Sequence, residues 1–155
     1  MVYTRFMREK HWLSYVVILI VSFFLVVDLF LHPGRSITFD GHVHITTIAQ
    51  FYNAIKDGEF PAMWANGFAN YGLPIPLVAH QTTSYLGAFF QFFTHNAVTS
   101  YNLVMLVGVF LSSAFFYKFL RYYFSINASL IATLLFHFAP YRITNIYIRG
   151  AVPEL

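Results

Sequence analysis

Cysteine is absent from the 155-residue chain, which excludes disulfide staples, thiolate chemistry and cysteine-built zinc sites. Charge is nearly as scarce. Only 10% of residues are Asp, Glu, Lys or Arg, against about 25% in soluble domains, so a water-facing globule would lack the polar surface to cover itself. The nine Lys and Arg residues are scattered along the chain rather than gathered on a face, which predicts no nucleic-acid partner. What the sequence does have is apolar bulk: 58% hydrophobic and 21% aromatic residues, with nineteen Phe and eleven Tyr. A disordered tail, a collagen and a coiled coil are excluded by that composition. The implied solvent is a membrane, with membrane lipids as partners and the cell membrane as location. The final residues, Ala151 to Leu155, carry no polar tail, and the expectation is an N-terminal piece of a longer protein.

Residues 13–31, LSYVVILIVSFFLVVDLFL, would make about 28 Å of helix, matching a hydrocarbon core of about 30 Å. Arg5, Arg8 and Lys10 precede this run, so residues 1–12 read as a cytoplasmic basic tail and Pro33 as the external exit. His32-Pro33-Gly34-Arg35 offers no small-residue cleavage site, so the segment reads as a retained anchor. Further full-length runs occupy 98–117 and 122–139, joined by a short cytoplasmic loop at 118–121 with Lys118 and Arg121. The last run stops at Pro140, which places 140–155 on the same external side as residues 32–97.

Within that external region, His44, Ile48, Phe51 and Ile55 recur at helical spacing and predict an amphipathic interfacial helix over 41–57. Asp40 would cap its start and Gly58 lie past its end. The stretch Glu59 to Pro76 is rich in Gly, Pro, Asn and aromatics. It reads as an ordered loop with turns at Asn66-Gly67 and Tyr71-Gly72, and with Trp64 and Tyr71 suited to the interface belt. Residues 77–94 are interrupted by His80 to Ser84, so they read as a re-entrant or interfacial helix rather than a crossing. The fold class is thus an all-α integral membrane protein with about three transmembrane helices plus external amphipathic or re-entrant helices.

This topology brings Asp40, His44, Tyr141, Arg142, Arg149 and Glu154 to one outer interface. An arginine donates a bidentate fork to phosphate and stays charged. A carboxylate beside apolar surroundings becomes a better base at neutral pH. Together they suit transfer from a lipid-phosphate donor: Asp40 as general base, Arg142 and Arg149 with Tyr141 on the phosphate, His44 and Glu154 as orienting groups in the catalytic set. No cofactor is predicted. His42 and His44 would be the residues to hold a divalent metal, although two positions apart on a helix point in nearly opposite directions.

At these residues a family resemblance enters. Phe39-Asp40-Gly41-His42-Val43-His44, Gly58-Glu59-Phe60-Pro61, Tyr71-Gly72-Leu73-Pro74, Ala139-Pro140-Tyr141-Arg142 and Tyr147-Ile148-Arg149-Gly150-Ala151-Val152-Pro153-Glu154 resemble the N-terminal part of a bacterial multi-pass membrane family. That family is labelled 6-pyruvoyl-tetrahydropterin synthase-related and is similar to YfhO-like and other GT-C-type glycosyltransferases. The resemblance implies a polyprenyl-phosphate-linked sugar as donor, with Asp40 at the position of the first-loop acid that serves catalysis or metal binding in GT-C-type enzymes. The function expected is transfer of that sugar at the outer face. The alternative is a non-catalytic transporter or structural subunit in which the same residues hold lipid headgroups.

Overall fold

A computed structural model describes residues 12–32, 38–68, 71–78 and 80–155. The basic residues before Trp12 and the 33–37 segment, with the topology readings placed on them, lie outside the described residues. Those described form helices and connecting loops, with one isolated antiparallel bridge between Ala65 and Leu73.

Helix α1 (Trp12–Val26) is followed, after a single turn residue, by the short α2 (Asp28–Leu31), so the 13–31 run is one rod with a break at Val27. Helix α6 (Ala97–Leu120) is the organising element: α1, α3 (Gly41–Lys56), α5 (Gln81–Thr94, preceded by the one-turn α4, Ile75–Val78) and α7 (Ile126–His137) all pack on it. It begins cleanly because the Asn96 side chain accepts from the amides of Val98 and Thr99, satisfying two of the donors that a helix start leaves unpaired. Among the described residues α6 is the one helix long and apolar enough to cross a membrane. It runs antiparallel to α1. Tyr15 meets Tyr117 edge to face at one end, and the Asn102 side chain donates to the Leu29 carbonyl near the other.

The C-terminal stretch differs from expectation. Pro140 was expected to end the last span and release an external segment, but it sits at the first position of α8 (Pro140–Thr144), where its fixed φ suits a helix start. A π-helical turn over Asn145–Arg149 follows, and Gly150 closes it in the left-handed conformation, φ 67°. Residues 140–149 therefore continue along the bundle. Arg142 bonds the middle of α6 at Val109, and the Tyr147 hydroxyl donates to the Leu25 carbonyl of α1. Phe138 and Ala139 mark a break in a single long segment, enforced by the bias of a pre-proline residue away from helix.

Two apolar clusters hold the described elements together. The larger gathers Val26, Leu29, Ile48, Tyr101, Met105, Val109, Ile146 and Val152 where α1, α3, α6 and the C-terminal turns converge. The smaller, Phe51, Ala54, Ala62 and Ala88, ties the loop after α3 to α5, helped by Tyr85, whose hydroxyl accepts from the Ala62 amide at 2.9 Å.

Small polar residues share the helix contacts of α1 and α6 with apolar ones, and on α7 polar residues make up the whole buried face. Ser14, Ser22, Ser113, Ser129, Thr133 and His137 are buried between helices, while Phe24, Phe115 and Leu135 are each more than 60% exposed.

Candidate functional site

The start of α3 is built by the other end of the chain. The amides of Phe39 and Asp40 donate to the carbonyls of Ile148 and Arg149 at 3.0 and 2.7 Å. Two glycines permit this approach. A Cβ on Gly150 would fall 2.4 Å from Thr38 Oγ1, 2.8 Å from the Tyr101 hydroxyl and 3.0 Å from the Gly41 amide, and one on Gly41 would fall 2.2 Å from Thr38 Oγ1. Tyr101 completes the junction by donating to the Gly150 carbonyl at 3.0 Å.

Asp40 was expected to cap α3, and here the structure corrects the sequence. Its carboxylate makes no capping bond. Thr38 Oγ1 accepts from the Gly41 amide instead, at 3.2 Å. The Asp40 carboxylate turns toward Arg149, 4.0 Å from Nη2. Together with His44, His80 and Glu154, these two residues line a cleft of about 610 Å³ floored by Val43, Thr47, Ser84, Ala151 and Pro153.

Arg149 and Glu154 form a bidentate pair at 2.5 and 2.7 Å, the strongest common geometry for these groups. The Tyr141 hydroxyl donates to the same Glu154 carboxylate at 2.8 Å. The Arg149 bond, reinforced by Tyr141, holds the Glu154 carboxyl below its usual range. The Arg149 fork is thus presented in a fixed orientation at the cleft wall.

His44 is partly buried and lies 6.3 Å, ring centroid to centroid, from His80. Burial pushes its pKa down and the neighbouring His80 adds to the effect, while Asp40 opposes it. His44 is therefore held neutral, able to accept or donate one hydrogen bond. His80 is a site residue that the sequence reading did not select. The signal was present in the polar interruption His80 to Ser84 within an apolar run.

Two residues of the expected constellation lie elsewhere. Arg142 does not line the cleft. It is 6% exposed, donates to the Val109 carbonyl at 2.8 Å and to Ser112 Oγ at 2.5 Å, and stacks its guanidinium over the Phe136 ring. The reason is the packing of the last segment beside α6, which turns the Arg142 side chain to Val109 and Ser112 while its neighbour Tyr141 reaches Glu154. His42 is exposed on α3 and does not line the cleft with His44, as the helical angle between neighbours two apart requires. Among the described residues no group of three or more His, Asp or Glu is placed to hold a metal ion.

Comparison with protein-family models, with characterised proteins and with solved structures yields no match.

Proposed function

We propose that the protein is a multi-pass membrane glycosyltransferase of GT-C type, taking a sugar from a polyprenyl-phosphate donor in the cleft between α3 and the C-terminal turns. The observation that carries the reading is the pairing of Asp40 with Arg149 across that cleft, a base and a phosphate-binding fork 4.0 Å apart. The large apolar side chains exposed on α1, α6 and α7, with small polar ones at their contacts, support a lipid environment. Small polar residues at helix contacts and large apolar ones outside are the packing pattern of membrane helices. The three crossings proposed are α1 with α2, α6, and the broken rod from α7 through the π-helical turn, with the N-terminus cytoplasmic and the cleft at the outer face.

In the proposed step, Asp40 takes the proton from an acceptor hydroxyl. That oxygen bonds to the anomeric carbon, and the bond from the anomeric carbon to the phosphate oxygen breaks. The electron pair leaves with polyprenyl phosphate, whose charge Arg149 meets with the N–H groups that its pair with Glu154 does not use. Glu154 and Tyr141 orient the fork, and neutral His44 offers a hydrogen bond to donor or acceptor. Arg142, placed on the phosphate by the sequence, serves the bundle instead.

Substituting Asp40→Asn and following sugar transfer from polyprenyl-phosphate hexoses in reconstituted vesicles tests the assignment. A general base is worth about 10²–10⁴ in rate, so a loss of that order is expected. Unchanged turnover with normal expression overturns it and leaves a lipid-headgroup site as the better reading.

A further inference from the structure

A second concavity, at the opposite end of α3 from the catalytic cleft, has a different chemistry. It has a volume of about 270 Å³ and is lined by Gln50, Asn53, Lys56, Asp57, Trp64 and Asn66. Three of these are primary amides, each a neutral donor and acceptor at once. Lys56 and Asp57 offset each other in charge, which sets this site apart from one selecting an anion. Its aromatic wall is a single indole, 44% exposed.

The wall is fixed before any ligand arrives. Ala65 and Leu73 exchange backbone bonds at 2.9 and 3.2 Å, pinning the two arms of the loop together. The Gly67 amide donates to Gln50 Oε1 at 3.0 Å, fastening the loop to α3. Gly72, at φ 76°, packs so closely behind Trp64 that a Cβ there would lie 2.0 Å from Nε1. Rigid sites lose less on binding because little side-chain freedom remains to be frozen.

One indole beside three primary amides, with a single cation and a single anion offsetting each other at the edge, matches one ligand class. A pyranose ring has an apolar C–H face and a rim of hydroxyls, each a donor and an acceptor. From this we infer that the 50–67 pocket is a saccharide-binding site, with the sugar's C–H face on Trp64 and its hydroxyls on Asn53, Asn66 and Gln50. The site is separate from the Asp40 cleft and stands whether or not that cleft is catalytic.

The chain has two tryptophans, so Trp12→Phe leaves Trp64 as the sole indole reporter. The purified full chain in nanodiscs is titrated with glucose, mannose, galactose, N-acetylglucosamine and their β-linked disaccharides. The expected result is a saturable change in Trp64 fluorescence with at least one of them, weakened about tenfold by Asn53→Ala and by Asn66→Ala, each with unchanged helical circular dichroism. Asp40→Asn should leave the titration as it was, which separates this site from the catalytic proposal. Absence of a saturable response to every sugar overturns the inference. So does a response that neither Asn53→Ala nor Asn66→Ala weakens, or Trp64 emission that answers only to quenchers carried on lipid chains, since that is an indole seated in the membrane interface.

Discussion

Asp40 and Arg149 are joined twice. The amide of the first donates to the carbonyl of the second at 2.7 Å, and their charged groups end 4.0 Å apart in the cleft. The backbone bond draws the two residues together, so the geometry of the site depends on a junction of backbone groups, Thr38 and Tyr101.

That dependence predicts a large effect from a small change. Gly150→Ala places a methyl within 3.0 Å of three groups and holds a non-glycine residue at φ 67°. Strain and overpacking each cost about 1–3 kcal/mol, so unfolding in a denaturant titration should shift by that amount. Tyr101→Phe removes one hydrogen bond from the same junction and should cost about 1 kcal/mol. Equal stability of Gly150→Ala and wild type contradicts the junction as described.

Arg149→Lys keeps the charge and loses the fork. On the proposed glycosyl-transfer reading, donor affinity should fall about tenfold, the scale of one charge-assisted hydrogen bond, read as a rise in the donor concentration giving half-maximal transfer. Glu154→Gln should have a smaller effect in the same direction, because the fork remains but its holder is weakened.

Arg142→Gln should reduce the yield of folded protein by removing a cation that bonds Val109 and Ser112 in the packed bundle. Donor affinity of the folded fraction should not change. The reverse pattern, normal folding with impaired donor binding, would restore Arg142 to the phosphate site.

The pH dependence follows from His44. Its folded pKa lies below the ordinary 6.5 because burial, and then His80, disfavour the cation. The unfolded chain therefore binds more protons in that range, and stability rises with pH across it. The contribution is fully present above about 6.5 and is lost as pH falls below that value. Thermal unfolding from about pH 8 to 5 should show this decline, and His44→Gln should flatten it. The Glu154 carboxyl, held below 4.5 by Arg149, contributes a separate loss only in stronger acid.

Topology is open to labelling because the chain has no native cysteine. Asn127→Cys, near the start of α7, should react with impermeant maleimide only from the cytoplasmic side. Tyr71→Cys, at a position 91% exposed, should react from outside. Labelling of position 127 from outside would overturn the three-crossing arrangement.

Much of the helical layout is legible in the sequence, for reasons that vary with the element. The apolar spacing of His44, Ile48, Phe51 and Ile55 marks α3, and Asp57-Gly58 marks its end. Uninterrupted apolar residues over 98–117 mark α6. Pro140 was the misleading residue, since proline both ends one helix and begins another, and local pattern cannot tell the two apart. Arg142 was misplaced as a direct consequence. Thr38 was overlooked as a cap because Asp40 is the stronger capping residue by type, and only the approach of Arg149 shows why the carboxylate is engaged elsewhere. The meeting of Asp40 with Arg149 could be anticipated from topology, whereas the backbone bonds that position it depend on Gly41 and Gly150 packing back to back.

Those backbone bonds also fix the order in which the protein can be completed. The first turn of α3 is completed locally, by Thr38 and the Asp40 carbonyl, whereas the two residues that lead into it, Phe39 and Asp40, find their amide partners only in Ile148 and Arg149, more than a hundred positions later in the chain. Contacts between distant parts of a chain form late, because closing the loop between them comes first. The cleft closes on a contact of long sequence separation, so a nascent chain with α1 and α6 already paired still lacks the pairing of Asp40 with Arg149.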